Sequence, residues 1–318
     1  MEKDSTNYSF VLLGLAEMER LRYLYCPLLA ALYFSILTLS LIIVLVVMTD
    51  RSLHEPMYIL IGNLALSGII GSSVFFPKFT TDLWITAKTV SRNDCLIQAF
   101  CLLLHAHLDI QTFTMMAYDR YLAVCHPLHY ISLMTITKVL QLIIASFLSS
   151  LLLSLSAILL VVRVPLCGTE IKNIFCDNMA IYILACTDTP INNIMGSVIT
   201  VFELSCSMLI IVFSYVRIYV VCFKLSKQSR HKALHTLVTH LINFSIFLLR
   251  YFFMILRYRL GYNNLPVSAH VGLSMPGLLI PPLVNPVVFG VRTKALKTRI
   301  VYHLNRRIWF RVSMANTS

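Results

Sequence analysis

The chain has 318 residues and a formal net charge of +12 at pH 7, from 26 Lys and Arg against 14 Asp and Glu. It is 58% hydrophobic and only 13% charged, with a mean hydropathy of +0.78, whereas a soluble domain carries about twice that charged fraction. No soluble basic domain remains to hold nucleic acid, and the excess of positive charge has to be read as a membrane feature.

In chain order, residues 1–23 are polar and mixed in charge. They lack the apolar core of a cleavable signal peptide, so the first span serves as the targeting signal. Asn7-Tyr8-Ser9 in this segment is a glycosylation sequon. Apolar runs of roughly 20 residues, enough to cross a bilayer, then recur at 24–49, 57–83, 95–125, 138–161, 196–222, 233–257 and 266–290. The expectation is an all-α membrane protein. It consists of an extracellular segment 1–23, a seven-transmembrane helix bundle over 24–290 and a basic cytoplasmic tail over 291–318. Orientation follows from the loop cations. The tail carries Arg292, Lys294, Lys297, Arg299, Arg306, Arg307 and Arg311 and no acid, and the fifth connection adds Arg217, Lys224, Lys227, Arg230 and Lys232. Both belong in the cytoplasm, which puts the N-terminus and Asn7 outside. The tail reads as a short amphipathic helix on anionic lipid. A second sequon, Asn243-Phe244-Ser245, lies inside a span and is inert there.

Of nine cysteines, Cys95, Cys167, Cys176 and Cys186 fall on the predicted outer side, where the compartment is oxidising. Four cysteines allow three pairings. Cys26, Cys101, Cys125, Cys206 and Cys222 read as small apolar residues.

The third span ends in Met116-Ala117-Tyr118-Asp119-Arg120-Tyr121-Leu122-Ala123-Val124-Cys125-His126-Pro127-Leu128-His129-Tyr130. An Asp-Arg pair at the end of an apolar helix needs water within reach and marks a membrane boundary. This stretch resembles the cytoplasmic end of the third helix of olfactory receptors, within the rhodopsin-like G-protein-coupled receptors. Leu53-His54-Glu55-Pro56-Met57-Tyr58 resembles the start of their second helix, and Ser214-Tyr215-Val216-Arg217-Ile218 the inner end of the fifth. Lys232 to Leu241 is similar to the sixth, with Leu237 where the family usually has Cys. Pro282-Leu283-Val284-Asn285-Pro286-Val287-Val288-Phe289 is similar to the seventh, with Phe289 for Tyr. Ser40 stands where the first helix usually has Asn, and Gly68 where many relatives have Asp. These departures thin the helix-core polar network and put a sodium site in doubt. His-Glu-Pro-Met-Tyr with Gly71 and Phe76-Pro77-Lys78 looks closer to fish-type than to mammalian members.

The resemblance implies Cys95–Cys176 and Cys167–Cys186 disulfides. It also implies a coupling end built from Asp119, Arg120, Tyr121, Tyr215, His240, Asn285, Pro286 and Phe289. There the permanently charged, forked guanidinium of Arg120 is parked by Asp119 and, once released, reaches toward Tyr215 and an inserted G-protein α subunit. Pro282 and Pro286 break the seventh helix and supply a hinge.

Ala99, Leu102, Leu103 and Ala106 recur at helical spacing on one outer face of the third span. By resemblance that face lines the ligand pocket, with His107 beside it. Ile199 and Glu203, Tyr251 and Ile255, and Met275 and Leu278 are candidates at similar depth on the last three spans. Leucine at 102, where aminergic receptors carry an acid, disfavours a simple amine pocket. Glu203 and Arg250 are costly inside spans, about 2.5–3.5 kcal/mol each on insertion scales. They either pair with each other or meet charged ligands, and a structural role is favoured. Arg257 and Arg259 could draw carboxylates, against a reading as a solvated loop edge. Asp109 lies about 20° in phase and roughly 16 Å in height from Arg120 and belongs to the core polar network. Cys101 and His105, four apart, make a workable two-ligand metal spacing. His107 points nearly opposite, so packing is favoured and neither metal nor cofactor is expected.

No His-Glu-x-x-His, Gly-x-Ser-x-Gly or phosphate loop is present, which argues against an enzyme. The expected function is therefore an odorant receptor. A small organic odorant inside the bundle activates a stimulatory olfactory-type heterotrimeric G protein and raises cyclic AMP, at the plasma membrane of olfactory sensory neuron cilia. The alternatives are a related receptor for a metabolite or hormone, and a transporter, which internal repeats would mark; none are seen.

Overall fold

The computed structural model describes residues 9–186, 190–223, 238, 241–254, 257 and 265–315. Six of its helices are long and apolar enough to cross a membrane, and Leu241–Met254 is a shorter apolar one. In chain order the long segments are α2 (Arg22–Thr49), α3 (Pro56–Trp84), α4 (Arg92–Cys125), α6 (Ile136–Val162), α8 (Pro190–Cys222), α9 (Leu241–Met254) and α10 (Val267–Arg292). Short helices α1 (Leu13–Met18), α5 (Pro127–Leu133) and α7 (Asn178–Tyr182) lie between them, and α11 (Lys294–Ala315) closes the chain. Together they form a seven-helix membrane bundle. The ends of the helices follow local chemistry. Pro56 and Pro127 occupy first-turn positions, where a missing N–H costs nothing. Ser91 caps α4 by accepting from Asp94 N at 3.1 Å, and Thr135 caps α6 by accepting from Lys138 N at 3.2 Å.

The outward faces stay apolar. Leu152 on α6 and Phe202 and Leu209 on α8 are each about two-thirds exposed or more. A surface of this kind is stable against acyl chains and not against water. Inside, two apolar clusters fill the bundle, one centred on Phe75, Phe76 and Phe79 and one on Phe113, Phe247 and Phe289. At the end of the bundle that carries α11, Asp50 caps the turn Arg51–Leu53 and meets Arg299 (3.5 Å) and His303 (3.3 Å). The Ser52 hydroxyl, aided by the Ser52 N–H, His303 and Arg299, holds the Asp50 carboxyl below its ordinary value.

Residues 9–21, before α2, are built into the fold more closely than their polar sequence suggests. Strand β1 (Ser9–Leu12) lies between β2 (Thr89–Ser91), antiparallel, and β3 (Glu170–Ile171), parallel. Phe10, Leu12, Leu15 and Met18 are buried with it. Gly14 makes the approach possible, because an added Cβ would lie 2.6 Å from the Asn173 carbonyl carbon. Gly14→Val is therefore expected to lift this segment off the loop and lower cell-surface staining. Gly272→Ala, where an added Cβ meets nothing within 4 Å, should leave staining unchanged; equal losses in the two variants would show that the contact does not matter.

Candidate functional site

Helix α4 runs between two polar or hollow ends. Near its start, Cys95 is bonded to Cys176 across 81 residues, and Cys167 to Cys186 across 19. Cys176 N also donates to Gln98 Oε1 at 2.8 Å. The loop that carries β3 and α7 is thereby fastened over the end of α4. Beneath it lies a cavity of about 170 Å³.

Eight of the predicted ligand residues line this cavity: Ala99, Leu102, Leu103, Ala106, His107, Ile199, Tyr251 and Leu278. Glu203 and Met275 do not line it, and Met275 packs into the outer apolar cluster. Ile255 lies outside the described residues, as do His240, Arg259 and Asn7. The sequence reading missed the contribution of α6 (Leu153, Ala157, Leu160) and that of the roof (Phe175, Asp177, Met179). The i, i+4, i+7 spacing on α6 was an available signal; the roof had none, since a disulfide-tied loop has no periodicity.

The intramembrane charges find specific partners. Glu203 does not pair with Arg250. It forms a short hydrogen bond with His107 Nδ1 and accepts from Gln111 Nε2 at 3.1 Å. Gln111 Oε1 in turn accepts from Ser149 Oγ at 3.0 Å, so one polar chain joins α4, α6 and α8. Arg257 is not a solvated loop edge. It is 2% exposed, with Nη2 2.5 Å from Asp177 Oδ2 and Nη1 on Ser274 Oγ. The roof is folded inward far enough for Asp177 to reach it, which is why the exposed reading fails.

Deeper, Ser67 Oγ donates to Asp109 Oδ1 at 2.9 Å and lies 2.9 Å from His105 Nδ1. Gly71 admits this imidazole, because an added Cβ would stand 2.6 Å from its ring. His105 is thus occupied by packing and hydrogen bonds, and no cluster of three or more metal-binding side chains occurs among the described residues. Ser40 Oγ has no hydrogen-bond partner among the described residues, and an added Cβ at Gly68 meets nothing within 4 Å. The space that an acid at position 68 would occupy is left open.

At the C-terminal end of α4, Asp119 is fully buried and its Oδ2 lies 3.4 Å from Arg120 Nε. Tyr130 of α5 donates to Asp119 Oδ1 at 2.8 Å. Burial first, then the neighbouring Asp119, holds the Tyr130 phenol above its ordinary value, so it remains a donor. Tyr121 Oη and His126 Nε2 are 3.0 Å apart. Tyr121 and Tyr215 both pack on Ile218 and Cys222, so the ends of α4 and α8 meet here. Asn285 and Phe289 of α10 are buried, with Pro286 between them in the helix.

Comparison with known proteins agrees with this layout. A family model described as "Olfactory receptor" matches residues 29–307. The chain is 30% identical to human (Homo sapiens) olfactory receptor 52D1 over 295 residues, 92% of this chain and 93% of that protein. It is 33% identical to human olfactory receptor 4E2 over 305 residues, 95% of each. It is 31% identical to mouse (Mus musculus) olfactory receptor 6E1 over 308 residues, 96% of this chain and 98% of that protein. With a family match over most of its length and an apolar cavity and an Asp-Arg pair at opposite ends of one helix, the chain belongs to the olfactory receptor family.

Proposed function

We propose that this odorant receptor binds a small organic ligand in the cavity under the disulfide-tied loop. Binding releases the inner end of α4 to a stimulatory olfactory-type heterotrimeric G protein, and cyclic AMP rises. The reading has the N-terminus outside, Asn7 glycosylated, and residues 291–318 against the cytoplasmic leaflet at the cilia of olfactory sensory neurons. The observation that carries it is the arrangement of α4. Ala99, Leu102, Leu103 and Ala106 face the cavity, and Asp119 and Arg120 lie on the same helix about four turns further in. A ligand that favours one packing of α4 against α8 and α9 biases both ends together, provided it binds that packing more tightly.

Loss of the Arg120 charge is the direct test. In cells carrying a stimulatory olfactory α subunit and a cyclic AMP reporter, the wild-type receptor should raise the basal signal and Arg120→Ala should abolish the rise at equal surface staining. A signal unaffected by Arg120→Ala would contradict coupling through this end.

A further inference from the structure

Arg250 is set apart from the other charged side chains around the cavity. Arg257 is paired with Asp177, and His107 with Glu203. Arg250 also lines the cavity, and among the described residues it forms no ion pair. Among the described residues its hydrogen-bond neighbour is His105 Nε2, at 3.4 Å from Nη1. With Ser67 Oγ donating to Asp109, its lone pair accepts from His105 Nδ1–H. In that arrangement Nε2 of His105 is left to accept the long contact from Arg250. A guanidinium carries five N–H donors, and among the described residues only one meets an acceptor. The cavity that Arg250 lines is also walled by the apolar Ala99, Leu102, Ala106 and Leu278. Gly277 keeps this side chain in place, since an added Cβ would lie 2.9 Å from Arg250 Cγ.

We propose that the cavity takes a small carboxylate, held by its two oxygens on the Arg250 guanidinium with its hydrocarbon part against α4 and α10. This rests on the odorant-receptor reading and gives the ligand its chemical class. The planar fork of arginine matches a carboxylate with two parallel hydrogen bonds, and the anion gives Arg250 the ion-pair partner that the described residues do not supply. The size fits as well. A cavity of about 150 Å³ holds benzene, so about 170 Å³ holds one ring or a short chain bearing a carboxylate. A cationic amine would face Arg250 without a free acid, because Asp177 and Glu203 are already engaged.

The test compares benzoate and straight-chain carboxylates with the matching alcohols, methyl esters and amines in the cyclic AMP assay. Carboxylates are expected to act at lower concentration than their neutral counterparts. Arg250→Gln should raise their half-maximal concentration roughly 10- to 100-fold, the range of a charge-assisted hydrogen bond. Arg250→Lys should produce a smaller shift, and Gly277→Ala a shift with the charge retained. The two single-charge-preserving variants carry the test should Arg250→Gln fail to reach the surface. Carboxylates no better than alcohols, or equal potency in all variants, would overturn the proposal, as would silence to carboxylates alongside an Arg120-dependent basal signal. The absence of any Arg120-dependent signal would instead overturn the receptor reading. In that case thermal unfolding of the purified protein with benzoate decides the anion site alone: a stabilisation seen in wild type and lost in Arg250→Gln supports it, and no stabilisation of wild type refutes it.

Discussion

Replacing Glu203 by Leu is expected to destabilise the receptor by about 1–3 kcal/mol for each buried polar group it leaves without a partner, His107 and Gln111. His107 and Glu203 side chains are 6% and 11% exposed, so neither can turn to water when the other is lost. Gln111 would lose its acceptor at the same time, and with it the link through Ser149 to α6. The double variant Glu203→Leu/His107→Leu should recover part of the loss, because the imidazole is no longer left without its partner and only Gln111 Nε2 stays unpaired. Thermal unfolding of the detergent-solubilised protein measures the cycle. Losses that simply add would show that the two side chains do not act as a unit.

Gly71→Ala is the second large effect. Its methyl group would stand 2.6 Å from His105 Cδ2, and the ring cannot yield without giving up Ser67 and its approach to Asp109. Overpacking costs about 1–3 kcal/mol, and the unmade buried hydrogen bond adds about 1–3 kcal/mol. Surface expression and thermal stability should therefore fall clearly. In a His105→Ala background the same change should cost almost nothing, since the contacting ring is gone. Gly68→Ala, one turn earlier and facing open space, should be tolerated in either background. If Gly71→Ala is equally harmful with and without His105, the clash is not the cause.

Much of this architecture is legible in the sequence because each signal is local. Apolar runs locate the spans, and the Asp119-Arg120 pair falls at the C-terminal end of α4. Cys95 and Arg120 set the phase of α4, and that phase suffices to find Ala99, Leu102, Leu103 and Ala106 on the cavity. The partners of buried charges are not legible, because they are chosen by tertiary packing. Asp177 and Arg257 are 80 positions apart, and His107 and Glu203 are 96 apart. Without the fold, Arg257 looks exposed and Glu203 looks free to meet Arg250. The N-terminal strand escapes for a related reason. Ser9–Leu12 has too few residues to show alternation, and it is held by pairing to β2 and β3 rather than by its own propensity.

A ligand in the cavity is expected to act through α4 on the Asp119–Arg120 end. Cyclic AMP dose-response curves for wild type, Ala106→Trp and Arg120→Ala, at matched surface staining, test it most directly. Ala106 lies on the cavity wall, so tryptophan there should fill the space and remove the ligand response while the Arg120-dependent basal signal persists. Arg120→Ala should remove both. A full ligand response in Ala106→Trp, or in Arg120→Ala, would contradict the account.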